Sequence, residues 1–249
     1  MGDTPSEILE RLPESLILWD VDHTLIENGG VSKDVYALAF ELLAGRASVV
    51  RPVTDGRTDF QIMRELLEAN AVDATRYVSV SQFEPVLIEA MASKAPELPD
   101  RGYVLPGVVA ALDVLAARPA VIQSVLTGNI GSNARSKLAA FGLDARVDLD
   151  VGGFGSDDIV RSRLVGSARA KVMRKYGRGF DASSTILIGD TPLDVRAAHD
   201  GGAKIVAVAT GIHSASALAA LGADAVLENL ADLSAFAEAL VDVRTRVGT

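Results

Sequence analysis

The sequence predicts an α/β protein, a doubly wound, Rossmann-like parallel sheet carrying an inserted all-helical cap domain. Three observations lead there. Apolar, largely β-branched runs bounded by turn residues recur at 16–19, 121–126, 186–188, 205–208 and 225–227, which suits strands buried on both faces of a parallel sheet. Helical patterns separate the later runs, so strand and helix alternate with crossovers of one hand. Residues 31 to about 100 instead hold helical patterns and no convincing buried strand.

Taken in order, the chain begins MGDTPSEILERLPE, which is acidic and amphipathic rather than a basic segment followed by an apolar one. No window approaches the roughly 18 apolar residues of a membrane span, and a cytoplasmic protein is expected. After the first strand, helical patterns occupy 35–43, 60–69 and 82–92. PELPDRGYVLPG at 96–107 then suits a hinge back to the sheet. The remaining helices, 133–141, 164–176, 193–199 and 215–221, run up to Gly142, Gly177, Gly201 and Gly222, glycines suited to C-caps. The expected division is a discontinuous core of 10–29 and 100–249, with a cap of 30–99.

Composition narrows the chemistry. In 249 residues, 49% hydrophobic and 23% charged, there is no cysteine, so disulfides and thiolate nucleophiles or metal sites are excluded. Any metal must be held by oxygen or by the three histidines, and a hard cation such as Mg²⁺ is the natural candidate. With 24 basic against 33 acidic residues the formal charge is −9, which repels nucleic acid and requires concentrated local positive charge wherever an anion binds.

Four separated patches carry candidate chemistry. The first, Asp20-Val21-Asp22-His23-Thr24, closes the first strand. Alternate residues of an extended chain share a side, so both carboxylates can face one crevice. Two such close acids do not both ionise cheaply, which suits a nucleophile beside an acid/base; a turn cap is the alternative for Asp22. The second, Leu126-Thr127-Gly128-Asn129, puts a hydroxyl, a small residue and a helix N-terminus together, either as an anion site or as an ordinary cap. The third, Gly189-Asp190-Thr191-Pro192-Leu193-Asp194, returns two acids to a strand's carboxyl end with proline in the first helical turn. The fourth is a fixed cation within RSRLVGSARAKVMRKYGR at 161–178, with Arg161 first and Arg163 second in line.

In that order, DVDHT, LTGN, a basic residue and IGDTPLD resemble the four motifs of the haloacid dehalogenase-like (HAD) hydrolases, most closely the phosphoglycolate phosphatase-like branch. The helical insert after the first motif matches that family's cap. The resemblance implies that Asp20 attacks phosphorus and forms an aspartyl-phosphate, while Asp22 protonates the leaving oxygen and later deprotonates water. It implies that Thr127 and Gly128, with Asn129, hold phosphate, and that Arg161 neutralises the nucleophile and the transferring group. Asp20, the Asp22 carbonyl and Asp190 would coordinate Mg²⁺, with Asp194 supporting through water. Charge bookkeeping expects a neutral Asp22.

Two departures stand out. His23 replaces the usual Gly or Asn, which fits a turn with positive φ better than a catalytic role, and the Lys-Pro usual in the third motif is absent. Within the cap, Asp55-Gly56-Arg57-Thr58-Asp59 precedes a helix. Arg57 there either reads an anionic group of the substrate or is solvated beside a capping Thr58 or Asp59. The expected activity is Mg²⁺-dependent hydrolysis of a small phosphate monoester, with no nucleic-acid or membrane partner. The rivals are a phosphomutase, a 2-haloacid dehalogenase, a receiver-like module and a catalytically silent regulatory protein.

Overall fold

Strand β1 (Ser15–Trp19) is wholly buried, and every structural feature of the site is placed relative to it. In the computed structural model, which describes residues 2–246, β1 leads into a short β2 (Ile26–Glu27), and the chain returns from the insert through β3 (Tyr103–Val104). The sheet continues with β4 (Val121–Thr127), β5 (Gly153–Phe154), β6 (Thr185–Gly189), β7 (Lys204–Val208) and β8 (Ala225–Leu227). Its order is β5-β4-β1-β6-β7-β8 and all its pairings are parallel. The chain winds one way from β1 through β4 and the other way through β6, so a crevice opens at the carboxyl end of β1.

The period of two along β1 divides the core. Ile17 and Trp19 join Val125, Ile186, Val206 and Phe236 on one face, whereas Leu16 and Leu18 join Leu126, Leu187, Ile205 and Leu164 on the other. Ile8 and Leu9, from a short N-terminal helix at Pro5–Leu9, also lie in the first of these clusters.

The insert holds helices at Val31–Ala44, Asp59–Ala69 and Glu84–Lys94. Its buried side chains, among them Phe40, Phe60, Met63, Phe83 and Leu98, form a cluster of their own to which the core contributes Ile130. β2 and β3 pair antiparallel where the insert leaves and rejoins the sheet.

The structure adds helices at Val108–Ala116 and Leu233–Thr245 that the sequence reading does not include, and it differs in two further details. The helix at Pro192–Gly201 incorporates Gly201 and is capped by Gly202 at φ +64°, because the last turn extends one residue further. Strand β5 is absent from the apolar runs of the sequence, because its two residues, one a glycine, carry no periodic signal; the following Gly155 packs so tightly that a Cβ there would lie 2.0 Å from the Gly128 carbonyl oxygen.

Candidate active site

Asp20 lies just beyond β1, and its amide donates to the carbonyl of Ile188 on β6 at 2.8 Å. Its carboxylate accepts from Arg161 Nη2 at 2.7 Å, and both residues are buried. The same nitrogen reaches Asp194. Arg163 points elsewhere: its side chain is 70% exposed and pairs with Asp158. Of the two candidate arginines, only Arg161 meets the first acid.

Asp22 occupies a different environment. Lys137 Nζ sits 2.9 Å from Oδ1 and 2.6 Å from Oδ2. Asn28 Nδ2 donates to Oδ1 at 2.8 Å, Ser32 Oγ to the same oxygen at 3.3 Å, and Asn129 Nδ2 to Oδ2 at 2.9 Å. Burial would raise its pKa, but the Lys137 ammonium and the amides of Asn129 and Asn28 hold it down to about 2. Asp22 is therefore ionised in this arrangement, which corrects the expectation of a neutral acid. The reason is Lys137, a buried cation in the middle of the Gly131–Ala140 helix that the sequence reading does not single out.

Asp20, Asp190 and Asp194 form an acidic cluster whose ligand atoms lie within 4.8 Å of one another. Burial, followed by mutual repulsion among the carboxylates, pushes Asp190 well up and Asp20 up as well, against the pull of Arg161. Buried oxygens that repel in this way fit a hard divalent cation, which would restore their charge. Thr24 Oγ1 donates to Asp190 Oδ1 at 3.2 Å. Asp194 is more committed: its Oδ2 accepts from Thr191 Oγ1 at 2.6 Å and from the Thr191 amide at 3.0 Å, completing a capping box at the start of its helix. With Arg161 on its other oxygen, its geometry supports the cluster from behind.

Thr127 ends β4 and is buried. The resemblance puts Asn129 among the phosphate-binding groups, but both ends of its amide are engaged by the protein. Nδ2 donates to Asp22 and, at 2.7 Å, to Thr127 Oγ1, while Oδ1 accepts from Lys137 at 2.7 Å. Asn129 therefore links Asp22 and Lys137 to Thr127 instead of offering a free donor. Gly128 is a true close approach: a Cβ there would stand 2.1 Å from the carbonyl oxygen of Arg57. Its own carbonyl accepts from the Asp59 amide at 2.8 Å.

The cap loop thereby covers the site. Thr54, Asp55, Gly56 and Arg57 line the same pocket as Asp20, Asp22, Thr127 and Arg161, leaving about 40 Å³ open to the centres of water molecules, room for only a few waters. Arg57 directs its Nε to Glu65 at 3.2 Å, and Thr58 caps the Asp59–Ala69 helix with Gln61 completing the box. His23 has φ +62°. Its carbonyl accepts from Thr210 Oγ1 and its ring meets Glu27 at 2.8 Å, so the turn and not the acid pair explains its position.

This constellation has counterparts. The sequence profile of the haloacid dehalogenase-like hydrolases matches residues 17–199, from β1 to the helix after β6. The chain belongs to that family. A protein of Dickeya dadantii named "Probable phosphatase IndB" is 28% identical over 234 residues, covering 91% of this chain and 94% of that one. A phosphoglycolate phosphatase of Rhodospirillum rubrum is 31% identical over 147 residues, covering 59% and 58% of the two chains. Among solved structures, a family IA HAD hydrolase from Entamoeba histolytica superimposes with a TM-score of 0.64 at 16% identity, covering 93% of this chain and all of that one, which speaks to the fold. The six-stranded parallel sheet with its flanking helices is thus a HAD hydrolase sheet. No helix among the described residues is long and apolar enough to cross a membrane.

Proposed function

We propose that this HAD hydrolase is a Mg²⁺-dependent phosphatase that cleaves a small phosphate monoester through an aspartyl-phosphate on Asp20. The observation that carries the reading is the unequal pairing of two acids at one strand end. Asp20 meets Arg161 and the acidic cluster, whereas Asp22 meets Lys137, and both acids line a pocket closed by the cap loop. The phosphatase names of the Dickeya and Rhodospirillum relatives agree with it.

Mg²⁺ held by Asp20, the Asp22 carbonyl and Asp190, with Asp194 behind, would supply positive charge opposite the phosphate oxygens. The charges of Asp20, Asp22, Asp190 and Asp194 then balance those of Mg²⁺, Arg161 and Lys137. Approach of an anionic phosphate raises the proton affinity of the nearby Asp22. The protonated Asp22 hands that proton to the leaving oxygen as an Asp20 oxygen bonds to phosphorus and the ester P–O bond breaks. Returned to its carboxylate form beside Lys137, Asp22 takes a proton from the water that attacks the aspartyl-phosphate. Thr127 and the Gly128 amide border the phosphate, and Arg161 offsets charge on Asp20 and the transferring group.

The test is a panel of phosphate monoesters assayed with and without Mg²⁺, using wild type and Asp20→Asn. Phosphate release that requires the ion and disappears in the variant is expected. No release by folded wild type from any ester, or equal release by the variant, would overturn the reading.

A further inference from the structure

Lys137 is 1% exposed, and among the described residues its ammonium makes polar contacts only at the site: both oxygens of Asp22 and Oδ1 of Asn129. An ammonium has three donors, and here all three are directed at residues of the pocket. Burying a cation is costly before its partner offsets any of the lost hydration, and apolar residues of similar volume often stabilise a core at least as well. The flanking residues on the same helical face, Ala134 and Leu138, are apolar and fully buried. A lysine at this position makes little sense as packing and good sense as a support for Asp22.

The carboxylate it supports needs one. The Asp22 side chain is 23% exposed toward the pocket. Asn28 and Ser32 reach only Oδ1 and Asn129 only Oδ2, so Lys137 alone spans both oxygens. Because Lys137 also grips Asn129, which holds Thr127 Oγ1, the lysine ties the orientation of Asp22 to the phosphate side of the pocket.

We propose that Lys137 is a positioning residue that fixes the Asp22 carboxylate for proton transfer. The proposal rests on the phosphatase reading above. In the first half-reaction the Asp20–phosphorus bond forms and the ester P–O bond breaks, with the electron pair and the Asp22 proton going to the leaving oxygen. In the second, water attacks phosphorus, its proton goes to Asp22, and the Asp20–phosphorus bond breaks. Loss of Lys137 frees the carboxylate to turn and misaligns both transfers. A p-nitrophenolate leaving group is stable without a proton, so its departure bypasses the first transfer and only the second is exposed.

The experiment is pre-steady-state release of p-nitrophenol from p-nitrophenyl phosphate by wild type and Lys137→Met, alongside turnover of an alkyl phosphate from the active panel. In the variant the first-turnover burst should persist at close to the wild-type rate. Steady turnover should fall by about ten- to hundredfold, with acid-stable labelled phosphoprotein accumulating and the inhibition constant of inorganic phosphate unchanged. A burst and steady rate that fall together, or that both stay at wild-type values, would overturn the proposal.

Lys137→Met strands a buried carboxylate, so the comparison is repeated between Asp22→Asn and Asp22→Asn/Lys137→Met, in which no lone charge is left. A lysine that acts through Asp22 leaves these two with equal burst and steady rates. A further tenfold loss in the double variant, or its failure to fold, would make Lys137 a structural residue and overturn the proposal. A wild type inert toward every ester would instead strike at the phosphatase reading itself.

Discussion

Tyr36 donates its hydroxyl to the Asp59 carboxylate at 2.6 Å, and the other oxygen of Asp59 accepts from the Ile130 amide at 2.8 Å. Tyr36 and Asp59 belong to the helical insert, whereas Ile130 opens the helix after β4, so one buried carboxylate fastens cap to core. The Asp59 amide doubles the link by donating to Gly128. Closure of the pocket therefore depends on polar contacts whose donors have nowhere else to go.

Tyr36→Phe removes one donor and leaves Asp59 its second partner, and should lower stability by about 1 kcal/mol in urea unfolding. Asp59→Ala strands both the tyrosine hydroxyl and the Ile130 amide, at about 1–3 kcal/mol for each. The two changes share a contact, so their effects should fall short of additivity in the double variant. Full additivity would mean that the contact is not made in solution.

Asp59 also predicts a pH dependence. Burial pushes its pKa up to about 6 from an ordinary 3.8, against the hydrogen bonds from Tyr36 and Ile130. The folded state therefore holds this proton more tightly than the unfolded state does. The associated stability is fully present below about 4 and is lost as pH rises through about 6, by on the order of 3 kcal/mol. Asp20 and Asp190 shift in the same direction, so the informative quantity is the difference between wild type and Asp59→Asn. That difference should shift in favour of Asp59→Asn between pH 4 and pH 7, and a flat difference would refute the assignment.

Gly128 is where the cap presses hardest on the core. A Cβ there would stand 2.1 Å from the Arg57 carbonyl oxygen and 2.9 Å from the Thr58 Cα, both backbone atoms that cannot swing aside. Gly128→Ala should hold the loop at 54–57 away from the site. Turnover should fall by about a hundredfold, as expected for displacement of site groups by an ångström. Far-UV circular dichroism should be unchanged, while proteolysis of the loop should quicken. Wild-type turnover would show that the cap need not close against this carbonyl.

The legible parts of the fold are those in which side-chain chemistry and backbone state coincide. β1, β6 and β7 are apolar after their first residue because both faces of a parallel sheet are covered, β4 is buried with Gln123 and Ser124 in its middle, and these runs appear in the sequence with their ends a residue or so displaced. Asp20, Asp22, Thr127 and Asp190 are legible for a related reason, since each follows or ends a strand. Arg161 is harder, because a segment with seven basic residues offers several cations and only tertiary packing selects one. Lys137 illustrates what escapes. A lysine in a helix ordinarily reads as solvated, yet it lies three residues after Ala134 and one before Leu138, on the buried face. A helical wheel contains that signal; its partner Asp22, 115 residues away, is found only in the fold. The contact between Arg57 and Gly128 likewise leaves no trace beyond the presence of a glycine.

The acidic cluster is braced by a glycine. A Cβ at Gly211 would stand 2.0 Å from Asp190 Oδ2 and 3.5 Å from the Cβ of His23. The loop after β7 thus holds Asp190 against the turn that carries the first acids. Gly211→Ala must displace the Asp190 carboxylate, while Arg161, Lys137 and the phosphate side of the pocket remain as they are. Divalent-metal binding, measured by calorimetry on the protein without substrate, should weaken by about ten- to a hundredfold, in the range found when groups supporting a metal ligand are removed. The midpoint of thermal unfolding should also respond less to added Mg²⁺ than in wild type, since a ligand stabilises only in proportion to its binding. Unchanged metal affinity in the variant would place the cation away from Asp190 and remove that residue from the ligand set.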